Sequence, residues 1–215
     1  DHCNTHSSFK DKVYMSNLCQ EITLPTTPIK HIDDPDGEIA LCILSAINLG
    51  LIREKDELKD LCDLSVRALE EIIDYQEYPV EAAKKSTLAR RSLGIGYIGL
   101  AHYLAKNKVK YDDKKAWKLV DEITEAFQYY LLKASNTLAK ERGACEYFNK
   151  TKYSDGILPI DSYKKDVDDI VKRKLSYDWT SLRNDIKSSG LRHSTLSAQM
   201  PSESSSVVSN ATNGV

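Results

Sequence analysis

The residue pattern predicts an α/β fold with a largely parallel sheet. Two observations carry this reading. Long amphipathic stretches occupy residues 56–75 and 112–142, and short extended or alternating runs at 93–99 and 194–200 fall between and after them. Strands separated by helices of this length are joined by crossovers, and crossovers favour parallel pairing.

The elements follow in order. Residues 2–9 are polar and irregular, and 13–24 read as extended until Pro25 ends them. Two further prolines and three aspartates make 26–37 a loop. The apolar run EIALCILSAINL at 38–49 suits a buried strand or a helix equally, because periodicity cannot separate the two; Gly50 closes it. In 56–75, Leu58, Leu61, Ser65, Leu69, Ile72 and Ile73 form one stripe with charges opposite, as an amphipathic helix requires. A second helix fits 80–91, and the extended segment 93–99 feeds a helical stretch at 100–106. The long helix 112–142 turns Trp117, Val120, Ile123, Phe127, Tyr130, Leu131 and Leu138 inward and stops at Gly143. After a Tyr- and Lys-rich loop, Asp178 caps a helix over 179–189 that Gly190 ends. Residues 194–200 alternate like a strand, and 201–209 begin a Ser-rich helix.

Composition excludes several classes. The 215 residues are 41% hydrophobic and 29% charged, which rules out a disordered tail or a collagen-like repeat. The 30 basic and 32 acidic residues leave a charge of −2, so no basic field points to nucleic acid. No apolar run reaches the roughly 18 residues of a membrane helix. Five cysteines without a CxxC pair suit a reducing, cytoplasmic compartment. A start at Asp1 and an end at Asn213-Gly214-Val215, without polar tails, read as the ends of a piece of a longer chain.

Several clusters carry chemistry on paper. Gly94-x-Gly96-x-x-Gly99 matches the dinucleotide fingerprint, but no nucleotide-domain strand precedes it, and the acidic residues downstream, Asp121 and Glu122, lie inside a helix. The glycines therefore read as close-packing positions. His2, Cys3 and His6 crowd together without a fourth tetrahedral ligand, so no metal is assigned. Cys62 and Cys145 read as buried small hydrophobes. Ser16-Asn17-Leu18-Cys19-Gln20-Glu21-Ile22 differs. If it is extended, side chains two apart share a face at about 6.6 to 7 Å, aligning the Asn17 amide, Cys19 thiol and Glu21 carboxylate. A carboxylate serves as a general base, and a thiol as a nucleophile or one-electron reagent. An ordinary strand with one polar face has the same pattern. At Met200-Pro201-Ser202-Glu203-Ser204-Ser205, a strand entering a Ser-rich helix start directs free N–H groups outward, which suits a phosphate. A plain serine N-cap would look alike, and Glu203 must turn away from an anion.

SNLCQEI, with GEIALCILSAINLG, RRSLGIGYIGLAHYLA, LLKASNTLAKERGACEYF and MPSESSSVVSNATNG, resembles the large, catalytic chain of class I ribonucleotide reductase from end to end. The resemblance implies part of the ten-stranded α/β barrel of that family, with Cys19 on a finger loop inside it and 38–49 as a strand. It implies that Cys19 becomes a thiyl radical that abstracts the ribose 3′ hydrogen, that Glu21 takes the 3′-hydroxyl proton, and that Asn17 hydrogen-bonds the substrate, with Leu18 and Gln20 in the same substrate-facing stretch. Cys42 corresponds to one half of the redox dithiol. Pro201, Ser202, Glu203, Ser204 and Ser205 correspond to the substrate diphosphate loop, with Ser204 where relatives often carry Thr.

On this resemblance residues 1–215 form a central portion of the catalytic barrel domain, truncated at both ends. The second redox cysteine and the effector sites lie upstream, and the radical-relay tyrosines and shuttle cysteines downstream. The segment itself is expected to bind no cofactor. A metal-containing small subunit supplies the radical, and allosteric nucleotides such as ATP bind outside these residues. The implied partners are a ribonucleoside diphosphate, the small subunit, the remaining parts of the large subunit, and thioredoxin or glutaredoxin. The alternative is a non-catalytic phosphate-binding or scaffold fragment of the same fold.

Overall fold

The computed structural model describes residues 7–215; the His2, Cys3 and His6 cluster lies outside them. Strand β1 (Ile43–Asn48) pairs in parallel with β2 (Leu93–Ile98), in a register that sets Ile43 against Leu93 and Asn48 against Ile98. Only the second half of the 38–49 run is strand; Glu38 to Cys42 approach it as irregular extended chain. The crossover consists of a 3-10 turn (Leu49–Leu51), helix α1 (Glu57–Tyr75) and helix α2 (Glu81–Arg90). After β2 come α3 (Leu100–Lys106), the long α4 (Lys114–Arg142), two 3-10 turns, α5 (Pro159–Ser162), α6 (Asp166–Val171), α7 (Trp179–Ser189) and the short α8 (Glu203–Val208). The α/β class with parallel pairing is thus as the pattern predicts.

Residues 194–200 run along the other edge of β2 in the parallel sense but form only one bridge, Ile95 with Ser197. Leu93 N–H donates to Thr195 O at 3.1 Å and Ile95 N–H to Leu196 O at 2.8 Å. The two donors advance by two residues while their acceptors advance by one. This slip ends the ladder and explains why the predicted strand is extended chain. Flanked on both edges, β2 is buried along nearly its whole length, whereas β1 is half-exposed.

The main core forms where α1 packs across α4 and over the strands. Leu58, Cys62, Val66, Leu69 and Ile73 of α1 are buried among it with Ile123, Phe127, Leu131 and Leu138 of α4. The buried face of α1 is rotated from the predicted stripe: Cys62, Val66 and Glu70 are inside, while Ile72 is exposed. Trp117 is likewise exposed, its indole N–H donating to Tyr111 O at 2.8 Å. The caps follow the sequence. Asp113 accepts from Lys115 N–H and Asp178 from Ser181 N–H, both at 2.8 Å, and Gly143 and Gly190 end their helices at φ 86° and 77°.

Gly96 shows why the glycine motif is there. A Cβ on it would lie 2.4 Å from Ala198 O and 2.8 Å from Met200 Sδ. The motif brings the 198–200 segment against the sheet, which is the close-packing reading and not a nucleotide cradle.

Candidate functional site

A second, smaller core assembles the site. Phe9, Val13, Ile22, Leu24 and Ala198 are buried together, with Ala40 and Cys42 packed against them. Three distant segments meet here: the chain around Cys19, the approach to β1 and the approach to the Ser-rich turn.

Residues 17–22 form a reverse turn, not the extended strand that the alternation suggests. Gln20 N–H donates to Asn17 O at 3.1 Å, and Asn17 N–H and Ile22 O close the loop at 3.4 Å. Gln20 takes φ 61°, the left-handed conformation that lets the chain double back. Leu18, Cys19 and Gln20 form its exposed tip, with Leu18 96% exposed. Asn17 and Glu21 meet across the turn's base, where Asn17 Nδ2–H donates to Glu21 Oε1 at 2.5 Å. Glu21 Oε2 is shielded from solvent and has no hydrogen-bond partner among the described residues. A carboxylate with one oxygen held and the other unpaired is poised to accept a proton from an incoming hydroxyl.

Asn17, Glu21 and Cys42 share a cavity of about 750 Å³, also walled by Thr27, Glu38 and Leu44. Cys42 lies at the start of β1 against Gly94, where a Cβ would come within 2.9 Å of its sulfur. Burial pushes its thiol up to about 12, and the Glu21 charge adds to the effect. Behind the cavity wall the buried Glu38 accepts from Thr27 Oγ1–H at 3.0 Å and from Arg90 Nη2–H at 3.2 Å. Arg90 thereby ties the end of α2 to the chain leading into Cys42. Sequence reasoning missed this pair; the only trace of it is a basic residue at a helix C-terminus, a common pattern.

The Ser-rich turn does not line the cavity. Pro201, Glu203, Ser204 and Ser205 are exposed, and Ser202 is buried at the head of α8. Ser202 occupies the N-cap position without capping. Its hydroxyl donates instead to Asn213 Oδ1 at 2.7 Å. The exposed hydroxyls of Ser204 and Ser205 face solvent, where an anion can reach them. Cys19, Cys42, Cys62 and Cys145 are all free thiols, and Cys62 and Cys145 are buried. Among the described residues no three His, Cys, Asp or Glu side chains come together as a metal site, and no helix is long and apolar enough to cross a membrane.

Comparison with known proteins places this geometry in context. The family described as ribonucleotide reductase, barrel domain, matches residues 1–215. The chain is 63% identical to the ribonucleoside-diphosphate reductase subunit alpha of Haemophilus influenzae over 218 residues, covering 100% of this chain and 29% of that one. It is 59% identical to subunit alpha of ribonucleoside-diphosphate reductase 1 of Escherichia coli, with the same coverage. Subunit alpha of phage T4 is 46% identical over 219 residues, covering 100% of this chain and 28% of that protein. The chain therefore spans under a third of the length of these relatives. With its whole length matched and a thiol, an amide and a carboxylate on one turn, the chain belongs to the ribonucleotide reductase barrel-domain family.

Proposed function

We propose that these residues are a central portion of the catalytic barrel of a ribonucleotide reductase large subunit, truncated at both ends, which reduces ribonucleoside diphosphates to 2′-deoxyribonucleoside diphosphates for DNA synthesis. The observation that supports this most is the Asn17–Glu21 bond at the base of the turn that carries Cys19, with Cys42 in the same cavity as both partners. On this reading a metal-containing small subunit supplies the radical, and allosteric nucleotides bind elsewhere in the subunit. Cys19, as a thiyl, takes the 3′ hydrogen of the ribose and leaves a carbon radical, while Glu21 takes the 3′-hydroxyl proton through its unpaired oxygen. Asn17 holds Glu21 in place and hydrogen-bonds the substrate, with Leu18 and Gln20 flanking it. The 2′-hydroxyl takes a proton from one of the two redox thiols and leaves as water, the second thiol proton ends on C2′, and Glu21 returns its proton to the 3′ oxygen. Cys42 and a second cysteine outside these residues supply two electrons and close to a disulfide. Cys19 then returns the 3′ hydrogen, so the net exchange is one dithiol oxidised per deoxynucleotide formed. Thioredoxin or glutaredoxin reopens the disulfide, in a cytoplasmic setting. Pro201, Ser202, Glu203, Ser204 and Ser205 form the turn that receives the diphosphate.

The raised Cys42 thiol fits this role, since a redox cysteine that waits for the carbon radical must not ionise early. The test is Cys19→Ser in the full large subunit with its small subunit. Deoxynucleotide formation should vanish while substrate binding survives the nearly isosteric change. Substantial turnover by the serine variant would remove the radical assignment.

A further inference from the structure

Resting on that reading of the Ser-rich turn, we propose that Asn213 is a positioning residue that braces the turn from behind. Ser202 is 3% exposed, and its Oγ makes two hydrogen bonds. It donates its one proton to Asn213 Oδ1 at 2.7 Å and accepts from Gly214 N–H at 3.3 Å. A hydroxyl has a single O–H to give, so with this bond intact Ser202 offers no proton to a phosphate. The donors left for an anion are the exposed hydroxyls of Ser204 and Ser205 and the adjoining backbone. Ser202 serves to hold them in place.

Asn213 can brace the turn because its own segment is tied to the sheet. Gly99 N–H donates to Thr212 O at 2.8 Å, and Ala211 N–H to Ser206 O at 2.9 Å. Gly99 sits at φ 76° where β2 ends, and a Cβ there would lie 2.4 Å from Asn48 Oδ1 and 2.8 Å from Gly50 N. The ends of β1 and β2 thus set the height of Thr212, which places Asn213, which orients Ser202 at the head of α8. Order in the turn is supplied by the barrel wall and not by the six-residue helix that follows.

The experiment uses the full large subunit with its small subunit, and inorganic pyrophosphate as a probe for the diphosphate contacts. Asn213→Ala should raise the KM for nucleoside diphosphate and the inhibition constant of pyrophosphate together by about tenfold, the scale of one lost hydrogen bond. The kcat should stay within about twofold. Ser202→Ala should weaken both constants at least as much, since it also removes the Gly214 N–H bond, and the double variant should be no worse than Ser202→Ala alone, because the bond lost in Asn213→Ala is already gone there. Additive effects, a fall in kcat at constant KM, or no change in the pyrophosphate constant would overturn the brace. Ser204→Ala with Ser205→Ala separates the two ideas. If that pair weakens pyrophosphate while Asn213→Ala does not, the turn still receives phosphate and only the brace fails. If neither weakens it, the phosphate reading falls as well.

Discussion

Cys42 and Cys19 illustrate how position decides what one side chain can do. Cys19 stands on an exposed turn, while Cys42 is half-buried beside Gly94 with Glu21 facing it. Burial, with the Glu21 charge adding to it, pushes the Cys42 thiol up to about 12, so very little of it is ionised at pH 8. Since the thiolate is the reactive form, iodoacetamide at pH 8 should label Cys19 completely before Cys42 is measurably modified. Labelling of Cys42 should then climb about tenfold per pH unit up to about 12. A thiol raised by folding contributes stability below 9.0 that is lost as pH rises toward 12. Mass spectrometry of the labelled large subunit checks the order; equal rates at pH 8 would refute the burial of Cys42.

At the scale of elements, one carboxylate fastens three of them. Glu70 projects from the inner face of α1 and accepts from Arg91 Nε at 2.8 Å, from Arg192 Nε at 2.6 Å and from His193 Nε2 at 3.0 Å. A carboxylate can only accept, so Nε2 carries the proton, and a neutral His193 then accepts Ser135 Oγ–H at Nδ1, 2.9 Å away on α4. Burial alone would raise the Glu70 carboxyl. Its bonds from His193, Arg91 and Arg192 outweigh burial and hold it well below the usual carboxylate range. His193 is lowered by burial, more than Glu70 raises it. Both groups act in the same direction. The unfolded chain takes up protons more readily, so stability falls as pH drops below the ordinary histidine value of 6.5 and falls further near 4.5. Glu70→Gln would leave the half-buried Arg192 without its carboxylate and the buried Arg91 with Asp74 alone, 2.8 Å away, and should cost roughly 3–5 kcal/mol in the urea unfolding of the large subunit. A loss under about 1 kcal/mol would show that the cluster does not hold these elements together. No hydropathy pattern marks this residue: a Glu on an amphipathic helix is assigned to the solvent side, which is why the predicted stripe ran through Ile72. The lengths of the long helices, their caps and β2 were legible, since they depend on local spacing, whereas the run that holds β1 read equally as strand or helix. The turn at Cys19 was not legible. Its alternating polar residues mimic a strand, and what bends it is a left-handed Gln20 and an Asn17–Glu21 bond, neither of which composition announces. Asn213 was hidden for the same reason, because its role exists only through a contact with a residue eleven positions away.

For the molecule as a whole, the balance of buried and exposed surface decides what these 215 residues do alone. The apolar face of α4 finds its partners within the chain, with Ile123, Leu131 and Leu138 buried, so this helix does not seek a cover. The unsatisfied surface lies on the other side. Among the described residues β1 pairs with β2 alone, leaving one strand edge of unpaired backbone groups. Tyr14, Met15, Leu41 and Leu44 are exposed in the wall of the cavity that Asn17, Glu21 and Cys42 share. A two-stranded sheet with a free edge and a flanking apolar patch is marginal in water and prone to self-association. Covering that surface at roughly 25 cal/mol per Å² would contribute several kcal/mol, comparable to the net stability of a typical domain. Expressed alone, the 215 residues should therefore associate, bind a hydrophobic dye and melt over a broad range, without reducing nucleotides. Co-expression with the flanking stretches of a relative's large subunit should restore solubility, and protect the amide hydrogens of β1 from exchange as strongly as those of β2. A sharp, two-state melt of the isolated chain, with β1 amides already protected, would show that the exposed edge needs no cover and that these residues fold as an autonomous unit.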